Sequence, residues 1–173
     1  MKDKKPTFEQ AINIASLWCK AWEEGQLSDE ILAERISELI ADRNGARGFF
    51  VVGLATDNPL LDRLPEPLIF KLRQAKEPII DLTVRNLAMS SAMALEHKRN
   101  GNTSLQTSSE RISSRCIELL RLLDPVYVKE RIENLLAATN GSGEDLNFLE
   151  RWGYDKEQKQ AIATNLISIA ENN

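Results

Sequence analysis

The run Phe-Phe-Val-Val at 49–52 is the only stretch of this 173-residue chain that is rich in strand-favouring side chains. It follows Asn44-Gly45, a pair that is typical of β-hairpin turns. In a β-hairpin the apolar residues before the turn should recur at every second position. The apolar residues of "ILAERISELIAD" at 31–42 instead recur every three to four positions. A lone strand would leave its backbone groups unpaired, and no second convincing strand exists. We therefore predict a buried helix at 46–57.

The chain contains three Asn-Gly pairs, at 44–45, 100–101 and 140–141. Each pair follows a helical pattern, and both residue types tolerate the left-handed backbone conformation that ends helices. We predict that all three pairs end helices. Gly53 would lie inside the helix predicted at 46–57, at a cost of about 1 kcal/mol relative to alanine. A second helix that crosses closely at Gly53 would offset this cost.

Capping residues and prolines indicate where the other helices begin. Capping boxes are predicted at Thr7 with Gln10 and at 107–110, Thr-Ser-Ser-Glu. Single residues suited to the start of a helix are Ser28, Pro67, Pro78, Asp124 and Asp155. The helix opened by Pro78 is the longest, and its apolar residues are distributed around it, which is typical of a helix buried on several sides.

These patterns predict an all-α fold. We expect a single compact domain over residues 1–173, with about eight to nine helices built from helical hairpins and a disordered N-terminus at 1–6. A chain of this length buries roughly 70% of the surface that its unfolded form exposes, which is enough for one core. The predicted hairpins begin near residues 28, 66, 107 and 144, so a short HEAT-like stack is the alternative.

Composition excludes several classes of function. A net charge of −4 argues against nucleic-acid binding, which needs a basic face. The longest stretch without a charged residue, 160–170, is shorter than the roughly 20 apolar residues that span a membrane. No apolar segment follows the charged N-terminus, as a signal peptide would require. We expect a cytoplasmic protein in which Cys19 and Cys116 are reduced core thiols.

Cofactor motifs are not found. The glycines at 45, 48 and 53 match neither a P-loop nor a dinucleotide fingerprint. Met89, Met93 and His97 follow one another at one-turn spacing, but methionine is usually core filler and the chain has no second histidine. We therefore predict no metal, no cofactor and no catalytic residue.

The segment 97–115 is the best candidate for a binding site. Its four cations stand against Glu110 alone, a net charge of +3. Hydroxyl side chains and the free amides of a helix N-terminus would suit an anion or an acidic partner. The candidate residues are His97, Lys98, Arg99, Ser108, Ser109, Arg111 and Arg115. The alternative is a solvated loop with ordinary capping.

Two further features concern interfaces. Segment 144–157 carries five acids against Arg151 and Lys156, a net charge of −3. It could meet the basic segment in the same molecule or in a second copy. Trp152 and Tyr154 lie in a predicted loop, where such a pair either plugs the end of a helical bundle or marks an interface. We favour the plug.

Three segments carry a family resemblance: "GARGFFV" at 45–51, "NLAMSSAMALEHKRNG" at 86–101 and Ser-Glu-Arg at 109–111. They resemble a family of all-helical cyanobacterial proteins of unknown function, over roughly residues 30–123. The resemblance implies a helical fold and carries over no site.

The sequence does not specify a function. We expect a non-enzymatic helical module for protein interaction or regulation, with a protein partner or a second copy of itself. One alternative is a regulatory domain that binds a small molecule, a phosphate or another anion through the 98–115 region. The second alternative is an enzyme whose site matches no known motif.

Overall fold

The computed structural model describes residues 4–171, and all regular structure within them is helical. These residues form nine α-helices and one 3₁₀ turn, which confirms the all-α class. The chain forms two compact units, in each of which most contacts are made within the unit. The first unit ends at Ile79, and the second begins at Ile80. The single-domain organisation stays a prediction. The disorder expected at 1–6 falls partly on residues 1–3, outside the described residues.

The first unit contains four α-helices and the 3₁₀ turn. They are α1 (Phe8–Glu23), α2 (Asp29–Ile40), α3 (Arg43–Ala55), the 3₁₀ turn (Leu60–Asp62) and α4 (Glu66–Gln74). Helix α3 packs against α1 and α2, and α2 also packs against α4. The capping box of Thr7 with Gln10 is confirmed, as is the N-cap at Ser28.

The strand-like run lies in the middle of α3, as the helical prediction requires. Phe49 and Phe50 are almost fully buried, and their rings meet edge to face with centroids 5.7 Å apart. This geometry is the favoured one for aromatic pairs, and two buried aromatic side chains account for much of a small core.

Gly48 is the point at which α3 crosses α1 most closely. A Cβ atom added at Gly48 would lie 2.6 Å from the Cβ of Ala11 and 2.7 Å from its carbonyl carbon. At Gly53, where a close crossing would have offset the cost of a glycine inside the helix, a Cβ would meet only the Leu61 side chain, at 3.0 Å. Periodicity within one helix does not reveal which glycine lies at a crossing, because the crossing point depends on the partner helix.

The first Asn-Gly pair opens a helix instead of ending one. The carboxylate of Asp42 caps α3 by accepting a hydrogen bond from the backbone N–H of Asn44, at 3.1 Å. Gly45 is needed because a Cβ there would lie 1.8 Å from the carbonyl oxygen of Leu39. The prediction for this pair was therefore wrong. The pairs at 100–101 and 140–141 do end helices, with φ of 69° at Gly101 and 90° at Gly141.

The second unit contains the rest of the fold. Its helices are α5 (Glu77–Arg99), which belongs to this unit from Ile80 onward, α6 (Thr103–Leu122), α7 (Pro125–Thr139), α8 (Leu146–Arg151) and α9 (Lys156–Glu171). Helix α9 packs against both α6 and α7, and its Gln158 and Asn165 side chains also donate hydrogen bonds to α5. In a HEAT-like stack each hairpin would contact only its neighbours. The hairpins that contain α5 and α9 are not neighbours in the chain, so their contact favours a bundle over a stack.

Helix α6 begins four residues before the capping box predicted at 107–110. Asn102 caps it by accepting a hydrogen bond from the backbone N–H of Leu105, at 3.1 Å. The hydroxyls of Thr107 and Ser108 donate to backbone carbonyls one turn back, at 2.9 and 3.2 Å. The prediction was wrong because Asn102 directly follows the turn at Gly101 and supplies the first available cap.

Arg131 on α7 joins three parts of the second unit. Its guanidinium binds Asp81 of α5 at 3.0 Å and forms a bidentate pair with Asp145, in front of α8. Arg85, one turn after Asp81, lies over the Phe148 ring with 5.3 Å from its guanidinium carbon to the ring centroid. These contacts hold α8 against α5 and α7.

Candidate functional site

The two units differ in the chemistry of their buried residues. Every buried polar or charged residue in the described part of the chain lies in the second unit: Thr83, Ser90, Ser91, Ser109, Ser113, Arg115, Asp145 and Gln158. Burial of a polar group costs free energy unless it is hydrogen-bonded. The second unit, which holds these groups, is therefore the better candidate for a functional site.

A polar groove of about 450 Å³ lies between α5, α6 and α9, within the second unit. This volume is in the range of small-molecule sites. The polar side chains along its open part are Lys98, Gln106, Glu110, Ser114, Gln160 and Thr164. Ala94, Leu95, Ala161 and Ile117 supply apolar surface between them.

Hydrogen bonds between helices form the inner wall of this groove. The hydroxyl oxygens of Ser90 on α5 and Ser113 on α6 lie 2.8 Å apart. The side-chain amide of Asn165 on α9 donates to the Ser91 hydroxyl at 2.7 Å, and Ser91 in turn donates to the carbonyl of Leu87 at 2.6 Å. The wall is preorganised, since each of the three helices is tied to a neighbour by a polar contact.

Several groups in the groove remain available to a ligand. Within residues 4–171, Lys98 makes no ion pair, and the side chains of Ser114 and Gln160 make no hydrogen bond. One carboxylate oxygen of Glu110 accepts a hydrogen bond from the Gln106 amide at 2.9 Å, which leaves the other oxygen open. The groove thus offers one ammonium, one carboxylate and uncharged donors.

Arg99, one of the predicted site residues, is occupied by the acidic segment. Its guanidinium donates to Asp155 at 2.7 Å and to Glu157 at 2.8 Å. The hydrogen bond from Arg99 holds the pKa of the Asp155 carboxyl below its usual range. At this residue the basic and acidic segments meet in the same molecule.

The other predicted residues are not gathered into one surface. Arg111 and Arg115 are each two positions from Ser113, roughly 200° around α6, and so lie on the opposite side from the groove. Arg115 is only 3% exposed, and both arginines interact with other residues. Ser109 is buried, Ser108 bonds to its own helix, and His97 is half-buried. Lys98 alone lines the groove.

The sequence reasoning missed the contribution of the last helix. Gln160 and Thr164 are one turn apart on α9, and each stands two positions before a buried apolar residue, Ile162 or Leu166. A second signal was available in α5, where Ser90 and Ser91 interrupt an apolar run that the helix buries. A polar pair inside a buried helix indicates a partner, although not which helix supplies it.

Trp152 and Tyr154 occupy different environments. The Trp152 side chain is 53% exposed just after α8, so it does not plug the bundle as favoured above. Tyr154 is half-buried, and burial raises the pKa of its phenol. A short helix followed by a turn at Gly153, with φ of 64°, directs the two side chains differently.

The thiols lie in apolar surroundings. Burial raises the pKa of Cys19 to about 12 and raises the pKa of Cys116 as well, so both thiols are protonated at neutral pH. Among the described residues, no three His, Cys, Asp or Glu side chains are placed to share a metal ion.

None of the helices within residues 4–171 combines the length and the apolar character needed to cross a bilayer.

The sequence profile of one protein family, described as uncharacterised conserved protein UCP020893, matches residues 7–169. The chain belongs to this family. The match extends well beyond the 30–123 region of the resemblance noted above. It confirms the prediction of a family without a described activity. The cyanobacterial origin stays a prediction. No curated protein and no solved structure matches the chain.

Proposed function

We propose that this chain is a non-enzymatic regulatory module that binds a small polar molecule in the groove between α5, α6 and α9. The observation that carries the proposal is the set of open polar groups around Lys98, Glu110, Ser114 and Gln160 in a groove of about 450 Å³. Small-molecule sites combine an apolar wall with a few placed polar groups, and this groove has both.

The composition of the groove favours binding over catalysis. It holds one amine and one carboxylate but neither histidine nor cysteine, the usual general base and thiol nucleophile. We place the module in the cytoplasm, a proposal supported by the two free and buried thiols, Cys19 and Cys116.

The test is a thermal-shift screen of small polar metabolites against the purified chain. A compound that binds the folded state raises the melting temperature Tm with its concentration. Ser114→Trp would fill the groove from an exposed position on α6, and Ser108→Trp adds the same bulk on another side of that helix.

We expect at least one compound to raise the Tm of the wild type and of Ser108→Trp, and to leave the Tm of Ser114→Trp unchanged. Equal shifts in both variants would place the ligand elsewhere. A screen without any shift in the wild type would contradict the proposal.

Self-association is a second candidate function, favoured by the exposure of Trp152. Arg85 contacts Phe148, and Arg99 contacts Asp155, so the segment that contains Trp152 runs along α5 beside Met89 and Met93. These side chains are 53%, 36% and 40% exposed. Neighbouring opposite charges at Glu150 and Arg151 are exposed as well, and they suit a two-fold pairing of two copies.

Sedimentation equilibrium of the wild type and of Trp152→Ser tests this second candidate. We expect a concentration-dependent dimer for the wild type and a monomer for the variant. Val126→Ser is the control because Val126 is 72% exposed on α7. A wild type that stays monomeric at high concentration would rule the candidate out.

A further inference from the structure

We infer that the ligand of the groove is a small zwitterion, a polar α-amino acid or a close analogue, whose carboxylate binds Lys98 and whose amino group binds Glu110. This inference rests on the proposed function and names its ligand class. It follows from the positions of the two charged groups and from what lies between and beyond them.

Lys98 marks the end of the groove nearest the α5–α6 turn. The two helices are antiparallel, because Ser90 faces Ser113 and residues 100–102 connect them. Counting from that pair places Lys98 at about the level of Gln106. An exposed ammonium without an ion pair among the described residues is suited to an anionic group, and a carboxylate accepts strong charge-assisted hydrogen bonds from it.

Glu110 lies one turn further into the groove than Gln106, a distance of about 6 Å along α6. The hydrogen bond from Gln106 holds one carboxylate oxygen, so the other has a defined position. In an α-amino acid the ammonium and the carboxylate are attached to one carbon. With a charge-assisted hydrogen bond of about 2.8 Å at each end, these two groups would span the distance between the levels of Lys98 and Glu110.

A ligand with a charge of only one sign does not match the pair formed by Lys98 and Glu110. A simple anion at Lys98 would be repelled by the Glu110 carboxylate one turn away, and an uncharged polyol would use neither charge fully. A zwitterion neutralises both groups and would leave no charge unpaired in the groove. On α6, Arg111 and Arg115 lie on the side opposite to the groove, and Arg121 is paired with Glu118, so these cations do not alter the balance.

The far end of the groove indicates a polar side chain on the ligand. Ser114 and Thr164 contribute hydroxyl groups, and Asn165 keeps its carbonyl oxygen free when its amide bonds Ser91. Ala94 and Ala161 provide small apolar surface for the carbon atoms between the charged end and the polar end. A hydroxyl or amide side chain is complementary to this end.

Titration calorimetry of the full chain tests the assignment with three probes: L-glutamine, inorganic phosphate and the neutral polyol xylitol. The variants are Lys98→Met, which removes the ammonium, and Glu110→Gln, which keeps the size of the side chain and removes its charge. Lys129→Met is the matched control, since Lys129 is an exposed lysine on α7 that lies outside the groove.

We expect glutamine to bind the wild type and Lys129→Met equally, and each groove variant to bind it about tenfold or more weakly. Phosphate binding that depends on Lys98 and tightens in Glu110→Gln would overturn the zwitterion in favour of a simple anion. Xylitol binding that is blocked by Ser114→Trp would overturn it too, while the proposed function would stand. Failure of glutamine to bind would also overturn the inference, and the wider metabolite screen decides the proposed function separately.

Discussion

The two helical units of this chain bury different chemistry. In the first, the described core is built from apolar side chains and glycines, with Phe49 and Phe50 at its centre and Gly48 against Ala11. In the second, serines, Gln158, Asp145 and Arg115 are buried among the apolar residues. An apolar core gives stability with little chemical specificity, whereas buried polar groups must be placed and paired. We therefore propose a scaffold role for the first unit and a binding role for the second.

The largest expected effect comes from breaking the Arg131 pair in the second unit. In Arg131→Met the Asp145 carboxylate, 10% exposed, would be left without its bidentate partner. We expect the free energy of unfolding to fall by about 3–5 kcal/mol, because an unpaired buried charge is costly. Urea denaturation measures it.

The double variant Arg131→Met, Asp145→Leu sharpens this prediction. It removes both charges, so most of the lost stability should return. If the single variant loses less than about 1 kcal/mol, the polar contacts of the second unit are not structural in the sense argued here.

A pair of glycine variants tests the first unit. Gly48→Ala places a Cβ against the backbone of α1, which cannot move cheaply, so we expect a loss of about 2–3 kcal/mol. Gly53→Ala meets only a flexible leucine side chain, and its better helix propensity offsets the contact, so its effect should be within about 1 kcal/mol. Thermal unfolding of both variants checks the order. Equal losses would show that tight helix crossing is not what distinguishes this unit.

The serine pair at the groove wall should have a smaller effect. Ser113→Ala removes the hydrogen bond between Ser90 and Ser113, and we expect a loss of about 1 kcal/mol. The cycle with Ser90→Ala and the double variant measures the coupling between the two hydroxyls. Strictly additive losses would mean that the two groups do not interact in solution.

The smallest effect concerns the exposed ion pair of Arg99 with Asp155. The pKa of Asp155 is lowered in the folded state, so its stabilising contribution is present above the ordinary carboxyl pKa of about 4 and is lost as the pH falls through the lower folded value. Arg99→Met should raise the Asp155 pKa toward its ordinary range, while the backbone hydrogen bond from Gln158 continues to lower it in part. NMR titration of the carboxyl carbon reports this directly, and an unchanged pKa would mean that the pair does not form in solution.

Local sequence patterns were sufficient for the helices of both units. Period and capping residues predicted α1, α2, α4, α5, α7 and α9 because those signals lie within one helix. The predictions at Asn44-Gly45 and at 107–110 were wrong because more than one nearby residue could begin or end a helix there. In the structure Asp42 caps α3 and Asn102 caps α6, through hydrogen bonds that a short sequence motif does not specify.

The groove could be predicted only in part. Lys98 was among the candidates because the basic segment 97–115 stands out by charge. Its neighbours from α9, Gln160 and Thr164, are more than 60 residues away in the chain and have no distinctive pattern. Charge along the sequence also grouped Arg111 and Arg115 with Lys98, although helix geometry turns them away from the groove.

The most direct test of the scaffold-and-site account is a map of backbone amide NMR shifts. The probe is the compound that raises the Tm of the wild type most. We predict that the perturbed amides cluster in the C-terminal half of α5, in α6 around Glu110 and Ser114, and in α9 around Gln160 and Thr164. Perturbations centred on α1 to α4 would contradict the account, because the first unit would then carry the binding site.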